Sequence, residues 1–116
     1  QKGEISGYTG STWNGVTTIQ LARAIAAAID TNLTGLYHLV PQSNITKYNL
    51  LLLFREVFNR SDIIVNPTEG VSHDKTLVNT RTDFSYSLPD YPEMIKEMKQ
   101  WIVQHKSLYS HYEVVD

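Results

Sequence analysis

Three stretches of this chain repeat apolar residues at the three- and four-residue spacing of a helix. In the first, Ile19, Ala22, Ile25, Ala26 and Ile29 share one face, and Gln20, Arg23 and Asp30 leave only a narrow polar strip. That balance predicts a helix that is largely buried. Its start is marked by Thr17-Thr18-Ile19-Gln20, a hydroxyl followed three residues later by a glutamine, which is the capping-box pattern. A second helix is expected after Thr46, a residue suited to the N-cap. Leu50, Leu53, Phe54, Val57 and Phe58 form its apolar face, with Arg55, Glu56 and Asn59 toward water. A third is expected from Asp90, which with Glu93 makes another capping box and tolerates Pro92 in the first turn. Met94, Ile95, Met98, Trp101, Ile102 and His105 form its stripe, opposite Lys96, Glu97, Lys99 and Gln100. The phasing predicts one core in which Ile25, Ile29, Leu53, Phe54, Trp101 and Ile102 converge.

Two short strands are predicted between these helices. Residues 36–40 alternate weakly and are bounded by Gly35 and Pro41; residues 63–65 are bounded by Ser61-Asp62 and Asn66-Pro67. The order is helix, strand, helix, strand, long loop, helix. It predicts an α/β fold, a small lobe of about three helices with a short, mostly parallel sheet. Residues 3–15 and 67–89 show no regular period, and the second segment is longer than an idle connection needs to be. Long loops carried on a rigid scaffold are where binding groups collect.

The length of 116 residues suits a single domain. A net charge of -2 without a basic stripe gives no electrostatic footprint for nucleic acid. The chain has no cysteine, which favours a reducing, cytoplasmic setting. It contains no apolar run of the ~18 residues that a membrane helix requires. It opens on Gln1 rather than Met, which suggests that the natural N-terminus lies upstream. Asn32-Leu33-Thr34, Asn44-Ile45-Thr46 and Asn59-Arg60-Ser61 match the glycosylation triplet, a pattern short enough to arise by chance.

Several chemistries have no signature here. A cysteine-based metal site is excluded, and the four histidines are scattered without ligand spacing. Gly7-Tyr8-Thr9-Gly10 begins like a dinucleotide-binding fingerprint, but the next glycine position is Trp13. None of the seven tyrosines is followed four residues later by a lysine, the pair that makes a phenol a proton donor in short-chain dehydrogenases. Two segments remain as candidates for binding. Trp13-Asn14-Gly15 feeds directly into the first helix, whose N-terminus and loop amides suit an anion; equally, Trp13 can plug the core above a plain Asn-Gly turn. Lys75 and Arg81, inside the long loop, suit a pyrophosphate, or else are solvated charges of little energetic weight.

The run from Trp13-Asn14-Gly15-Val16-Thr17-Thr18-Ile19-Gln20-Leu21-Ala22, then Gly35-Leu36-Tyr37-His38-Leu39, then Ile45-Thr46-Lys47-Tyr48-Asn49-Leu50-Leu51 resembles the C-terminal half of extended short-chain dehydrogenases. The likeness is strongest to the dTDP-4-dehydrorhamnose reductase branch and related sugar-nucleotide reductases. Asp74-Lys75-Thr76-Leu77-Val78-Asn79-Thr80-Arg81, Pro89-Asp90-Tyr91 and the last helix are similar to that group's closing segment. The resemblance implies a substrate-binding C-terminal domain, residues 1–116, of a two-lobed enzyme. Its N-terminal Rossmann lobe would hold NADP (or NAD) and the catalytic Ser/Thr, Tyr and Lys, leaving no catalytic residue here. It implies that Trp13, Asn14, Lys75 and Arg81 line the nucleotide end of a nucleotide-sugar cleft. Relatives place an arginine where this chain has Trp13, so stacking on a base or sugar is the expected substitute there. The Trp13 turn and the Lys75–Arg81 loop must then share one edge of the lobe. An apolar face is expected where the Rossmann lobe would dock, with self-pairing into a homodimer as an alternative cover. The alternatives for function are the same lobe of an epimerase or dehydratase, or a free-standing binding module.

Overall fold

The computed structural model describes residues 3–70, 72–112 and 114. The elements run β1 (Gly3–Tyr8), β2 (Thr12–Trp13), α1 (Thr18–Asp30), β3 (Ile45–Thr46), α2 (Lys47–Val57), β4 (Ile63–Thr68), β5 (Asp74–Lys75) and α3 (Tyr91–Gln104), ending in a 3₁₀ turn, Lys106–Tyr109. β1 and β4 pair in parallel, with Ile5 beside Val65 and Gly7 beside Pro67. β2 forms the middle of a second small sheet, antiparallel to β3 and parallel to β5. This is a small α/β fold of three helices and mostly parallel strand pairs. Among the described residues it contains no Rossmann domain and no helix long and apolar enough to cross a membrane.

The helix starts follow their caps. Thr17 Oγ1 accepts from the Gln20 amide at 3.3 Å, Thr46 Oγ1 from Asn49 at 3.1 Å, and Asp90 Oδ1 from Glu93 at 3.0 Å. The ends of α1 and α2 share a device. Asn32 (φ 55°) and Asn59 (φ 54°) turn left-handed. The next amides, Leu33 and Arg60, reach back to Ala28 O at 3.1 Å and Arg55 O at 2.9 Å. This six-to-one bond is a Schellman ending, with asparagine in the position glycine usually takes. Two of the three glycosylation triplets are thus helix stop signals.

β1 lies in a segment that the sequence left irregular. Ile5 and Gly7 turn inward while Glu4, Ser6 and Tyr8 face water, so the two-residue period is present but one of its inward positions is a glycine. Gly7 is where α2 crosses the strand: a Cβ there would lie 2.8 Å from Tyr48 Cα and 3.1 Å from Val65 Cγ1. Residues 36–40, by contrast, form no strand. No neighbouring segment exchanges a ladder with them, Leu36 is 78% exposed, and its carbonyl accepts instead from the Arg81 side chain at 3.2 Å.

The core is smaller than predicted and lies elsewhere. Ala24, Val65, Phe84, Tyr91, Met94 and Ile95 are buried, so the centre is the first half of α3. Ile25 and Ile29 are 50% and 69% exposed, and Trp101 is 41% exposed. Phe54, Trp101 and Ile102 meet only across an open apolar groove of about 870 Å³ between the helices and β1. The reason lies in how α1 is turned. Its buried positions are Gln20 and Ala24, so the helix lays its small residues on the body and points the large ones outward. Gln20 Nε2 donates to Glu97 Oε1 at 2.7 Å and its Oε1 accepts from Tyr86 OH at 3.2 Å. Arg23 closes the attachment with an ion pair to the same glutamate.

The Gly7 contact gives a direct test. Gly7→Ala should lower unfolding stability by about 1–3 kcal/mol, the range for forcing a methyl into a packed site. Chemical denaturation with unchanged slope would measure it.

Candidate functional site

The site is organised from the turn between β2 and α1. Trp13 pairs across the sheet with Ile45 on one side and Lys75 on the other. Its indole then folds over Gly15, where a Cβ would lie 1.8 Å from the ring. The ring also meets Tyr91, with centroids 6.1 Å apart. Tyr91 OH donates to Gly15 O at 3.1 Å. Burial pushes the Tyr91 phenol up to about 12, so it remains a neutral donor at any working pH. Between these residues Asn14 is 6% exposed and binds the backbone of Leu77 twice: Nδ2 donates to Leu77 O at 2.7 Å, and Oδ1 accepts from Leu77 N at 2.9 Å.

This clamp opens one side of a cleft of about 1020 Å³, walled by residues of segments 37–44 and 76–90. Tyr37 and Asn79 stand at its centre. Asn79 Nδ2 donates to Tyr37 OH at 2.9 Å, and Tyr37 OH donates to Phe84 O at 3.1 Å. The Tyr37 and Phe84 rings pack edge to face at 5.3 Å. Arg81 holds the outer wall. Its guanidinium makes a bidentate pair with Asp83 and donates to Thr34 O at 2.6 Å and Leu36 O at 3.2 Å. It lies 5.9 Å from the Tyr37 ring centroid. The wall residues Gln42, Ser43, Asn44, Ser85 and Ser87 add amides and hydroxyls. These groups offer both neutral donors and acceptors along the wall.

The loop leading into the cleft is stiffened by local side-chain turns. Asp74 Oδ1 accepts from the Thr76 amide at 3.0 Å, from Thr76 Oγ1 at 2.6 Å and from Thr12 Oγ1 at 3.1 Å. Asn79 Oδ1 caps the Arg81 amide at 3.1 Å in the same two-residue pattern. The Thr76 hydroxyl, then the Thr76 amide and the Thr12 hydroxyl, hold the Asp74 carboxyl below its ordinary range. Hydrogen bonding to Arg81 does the same for Asp83 and raises the guanidinium in turn.

Trp13 and Lys75 are register partners and Asn14 grips Leu77, so the turn and the loop share one edge. Asn14 and Arg81 line the cleft; Trp13 and Lys75 stand beside it. Trp13 is packed on Gly15 and Tyr91, Asn14 makes two bonds to the Leu77 backbone, and Arg81 makes four, to Asp83 and two carbonyls. Lys75 is exposed and makes no ion pair among the described residues. Tyr37 was not foreseen as a site residue, since it lies in the segment predicted to be a strand. Asn79 was legible through the Asn-x-Arg spacing of a side-chain turn. Among the described residues no three His, Asp or Glu side chains gather to hold a metal ion. Comparison with protein-family models, curated proteins and solved structures found no match.

Two outcomes test this geometry. Asn14→Ala removes both hydrogen bonds that this buried amide gives the Leu77 backbone and should destabilise the chain by about 1–3 kcal/mol in denaturant. Acid should loosen the cleft. Asp74 and Asp83 titrate below their unfolded values, so their contribution is present above the ordinary carboxylate range near pH ~4 and is lost as pH falls through the depressed values. Tyrosine and tryptophan near-UV circular dichroism between pH 5 and pH 2 should report that loss. Asp74→Asn should make the transition shallower.

Proposed function

We propose that this chain is the substrate-binding lobe of a cytoplasmic, NADP-dependent sugar-nucleotide reductase of the short-chain dehydrogenase superfamily, and that its cleft receives the nucleotide-sugar. The observation that supports this is the convergence of distant segments. Asn14, Tyr37, Leu39, Leu77, Asn79 and Arg81 come from three of the stretches that carry the family resemblance, and all line one cleft. Its amide and hydroxyl walls suit a sugar, and Lys75 supplies an uncommitted cation beside it for a phosphate. Trp13 and Asn14 act by shaping the turn, and Arg81 by closing the wall. Hydride and proton transfer belong to a Rossmann lobe, which in this reading carries NADP and the catalytic groups.

Backbone-resolved NMR titration tests the reading. A dTDP-sugar or UDP-sugar should shift amides in residues 37–44 and 76–88, saturably, while NADPH leaves them unmoved. Lys75→Ala should weaken nucleotide-sugar binding by about 1.5–3 kcal/mol, the worth of a charged hydrogen bond, without changing fold stability. Shifts confined to the α2 and α3 surface, or tighter binding of NADPH, would overturn the assignment.

A further inference from the structure

Asn14-Gly15 is the only Asn-Gly pair in the chain, and such a pair is prone to a reaction between the backbone and its own side chain. The Gly15 nitrogen attacks Asn14 Cγ and forms an N–Cγ bond. The Cγ–Nδ2 bond breaks, Nδ2 takes the Gly15 amide proton, ammonia leaves, and a five-membered imide remains. Water then opens the imide at either carbonyl, giving aspartate or isoaspartate. Glycine favours the attack because it has no Cβ to shield the nitrogen and lets the backbone turn freely. Asn32, Asn44 and Asn59 are exposed but are followed by Leu33, Ile45 and Arg60, whose side chains hinder the same approach.

The fold holds both residues of this labile pair still. Asn14 is buried, its Nδ2 donates to Leu77 O at 2.7 Å, and its Oδ1 accepts from Leu77 N at 2.9 Å. The leaving nitrogen and the carbonyl oxygen are therefore both committed. Ring closure makes Cγ tetrahedral and gives up that pairing. It also requires the Asn14–Gly15 peptide to rotate. The Trp13 indole lies against Gly15, where a Cβ would come within 1.8 Å of the ring, and Tyr91 OH donates to Gly15 O at 3.1 Å. We propose that Asn14 is a spontaneous modification site that this clamp keeps unreactive, and that its conversion to aspartate or isoaspartate permanently releases the cleft loop. The clamp cannot reclose for a chemical reason. An ionised aspartate only accepts, so it sets an oxygen against Leu77 O where Nδ2 donated. Isoaspartate moves a methylene from the side chain into the main chain, so the reach to Leu77 is lost. The inference stands on the turn alone and is independent of which ligand the cleft receives.

The reaction rate follows the fraction of molecules in which the turn is open. The test incubates the 116-residue chain in mildly alkaline buffer, folded and in denaturant, followed by trypsin and mass spectrometry. The tryptic peptide 3–23 contains Asn14 and no other asparagine. Exchange of ammonia for water there, appearing as two isomeric products, reports the imide route at this site. In denaturant Asn14 should outpace Asn32, Asn44 and Asn59. Folding should slow it at least about ten-fold, the protection given by an open fraction of about one in ten. Tyr91→Phe removes one hydroxyl and should speed the native reaction about three- to ten-fold, the worth of one hydrogen bond, without changing the rate in denaturant. Gly7→Ala strains the fold away from the turn and should leave the native rate within about two-fold of wild type, because the opening is local. Asn14→Asp should show the altered near-UV spectrum of the fully modified chain. Equal rates in folded and denatured protein, no acceleration by Tyr91→Phe, as large an acceleration by Gly7→Ala, or a wild-type near-UV spectrum for Asn14→Asp would overturn the inference.

Discussion

Between Trp13 and Gly15 the chain makes the contacts on which its loosely joined parts depend. Asn14 lends Leu77 both halves of a backbone ladder, so the loop after β5 is held as if β2 continued for one more residue. Trp13 rests on Gly15 because nothing but hydrogen fits beneath the ring. Tyr91 then ties the first turn of α3 to the same peptide. Three parts of the chain distant in sequence meet at these residues: the β2–α1 turn, the cleft loop and the start of α3. Breaking the Asn14–Leu77 pair loses two hydrogen bonds, one of whose partners, Asn14, is buried. The rigidity of the cleft is therefore set at its edge, by the turn that carries Asn14.

The energetics around this junction are uneven. Apolar burial is concentrated in the first half of α3, where Met94 is wholly enclosed and Tyr91 and Ile95 nearly so. The far end of the same helix shows Trp101 to solvent, stacked on His105 at 3.9 Å. α1 is fixed to the body by alanine faces and by the Gln20–Glu97–Tyr86 network rather than by bulky side chains. Alanine contributes little burial compared with isoleucine, so the sequence has kept most of this helix's hydrophobic energy for its outer side. A chain built this way gains stability when that side is covered.

What was legible in the sequence was local. The caps at Thr17, Thr46 and Asp90 mark all three helices, because a cap depends on residues within one turn of each other. Tertiary facts were less legible. β1 escaped notice because Gly7 occupies an inward position, and its reason for being glycine is Tyr48, forty-one positions away. Residues 36–40 carry strand-like composition without a strand partner, and β propensity without pairing does not make a sheet. The periodicity of α1 was read correctly, but periodicity says which residues share a face, not which way that face is turned. In the site, the turns of Asp74 on Thr76 and of Asn79 on Arg81 are local, two residues apart, and so are a signal that the sequence reading passed over. The grip of Asn14 on Leu77 spans too much sequence to leave any such mark.

Arg81 shows how structural and binding roles combine in this cleft. Four of its five side-chain donors go to Asp83, Thr34 and Leu36, and the guanidinium lies 5.9 Å from the Tyr37 ring centroid. A bidentate phosphate contact through this guanidinium would mean giving up bonds that close the wall, so in the proposed reading its part is chiefly positional and electrostatic. Tyr37 follows from it: with the hydroxyl donating to Phe84 O and accepting from Asn79, the phenol is fixed in orientation. A fixed wall of amides and hydroxyls loses little entropy on binding, which is how neutral hydrogen bonds gain selectivity for a sugar. In the proposed reading, the charge of such a ligand would fall to Lys75, held by its register with Trp13 on the strand beside the cleft. The neutral groups that would read a sugar and the cation that would balance a phosphate are thus carried by neighbouring segments, fixed to one another by the same three-residue turn.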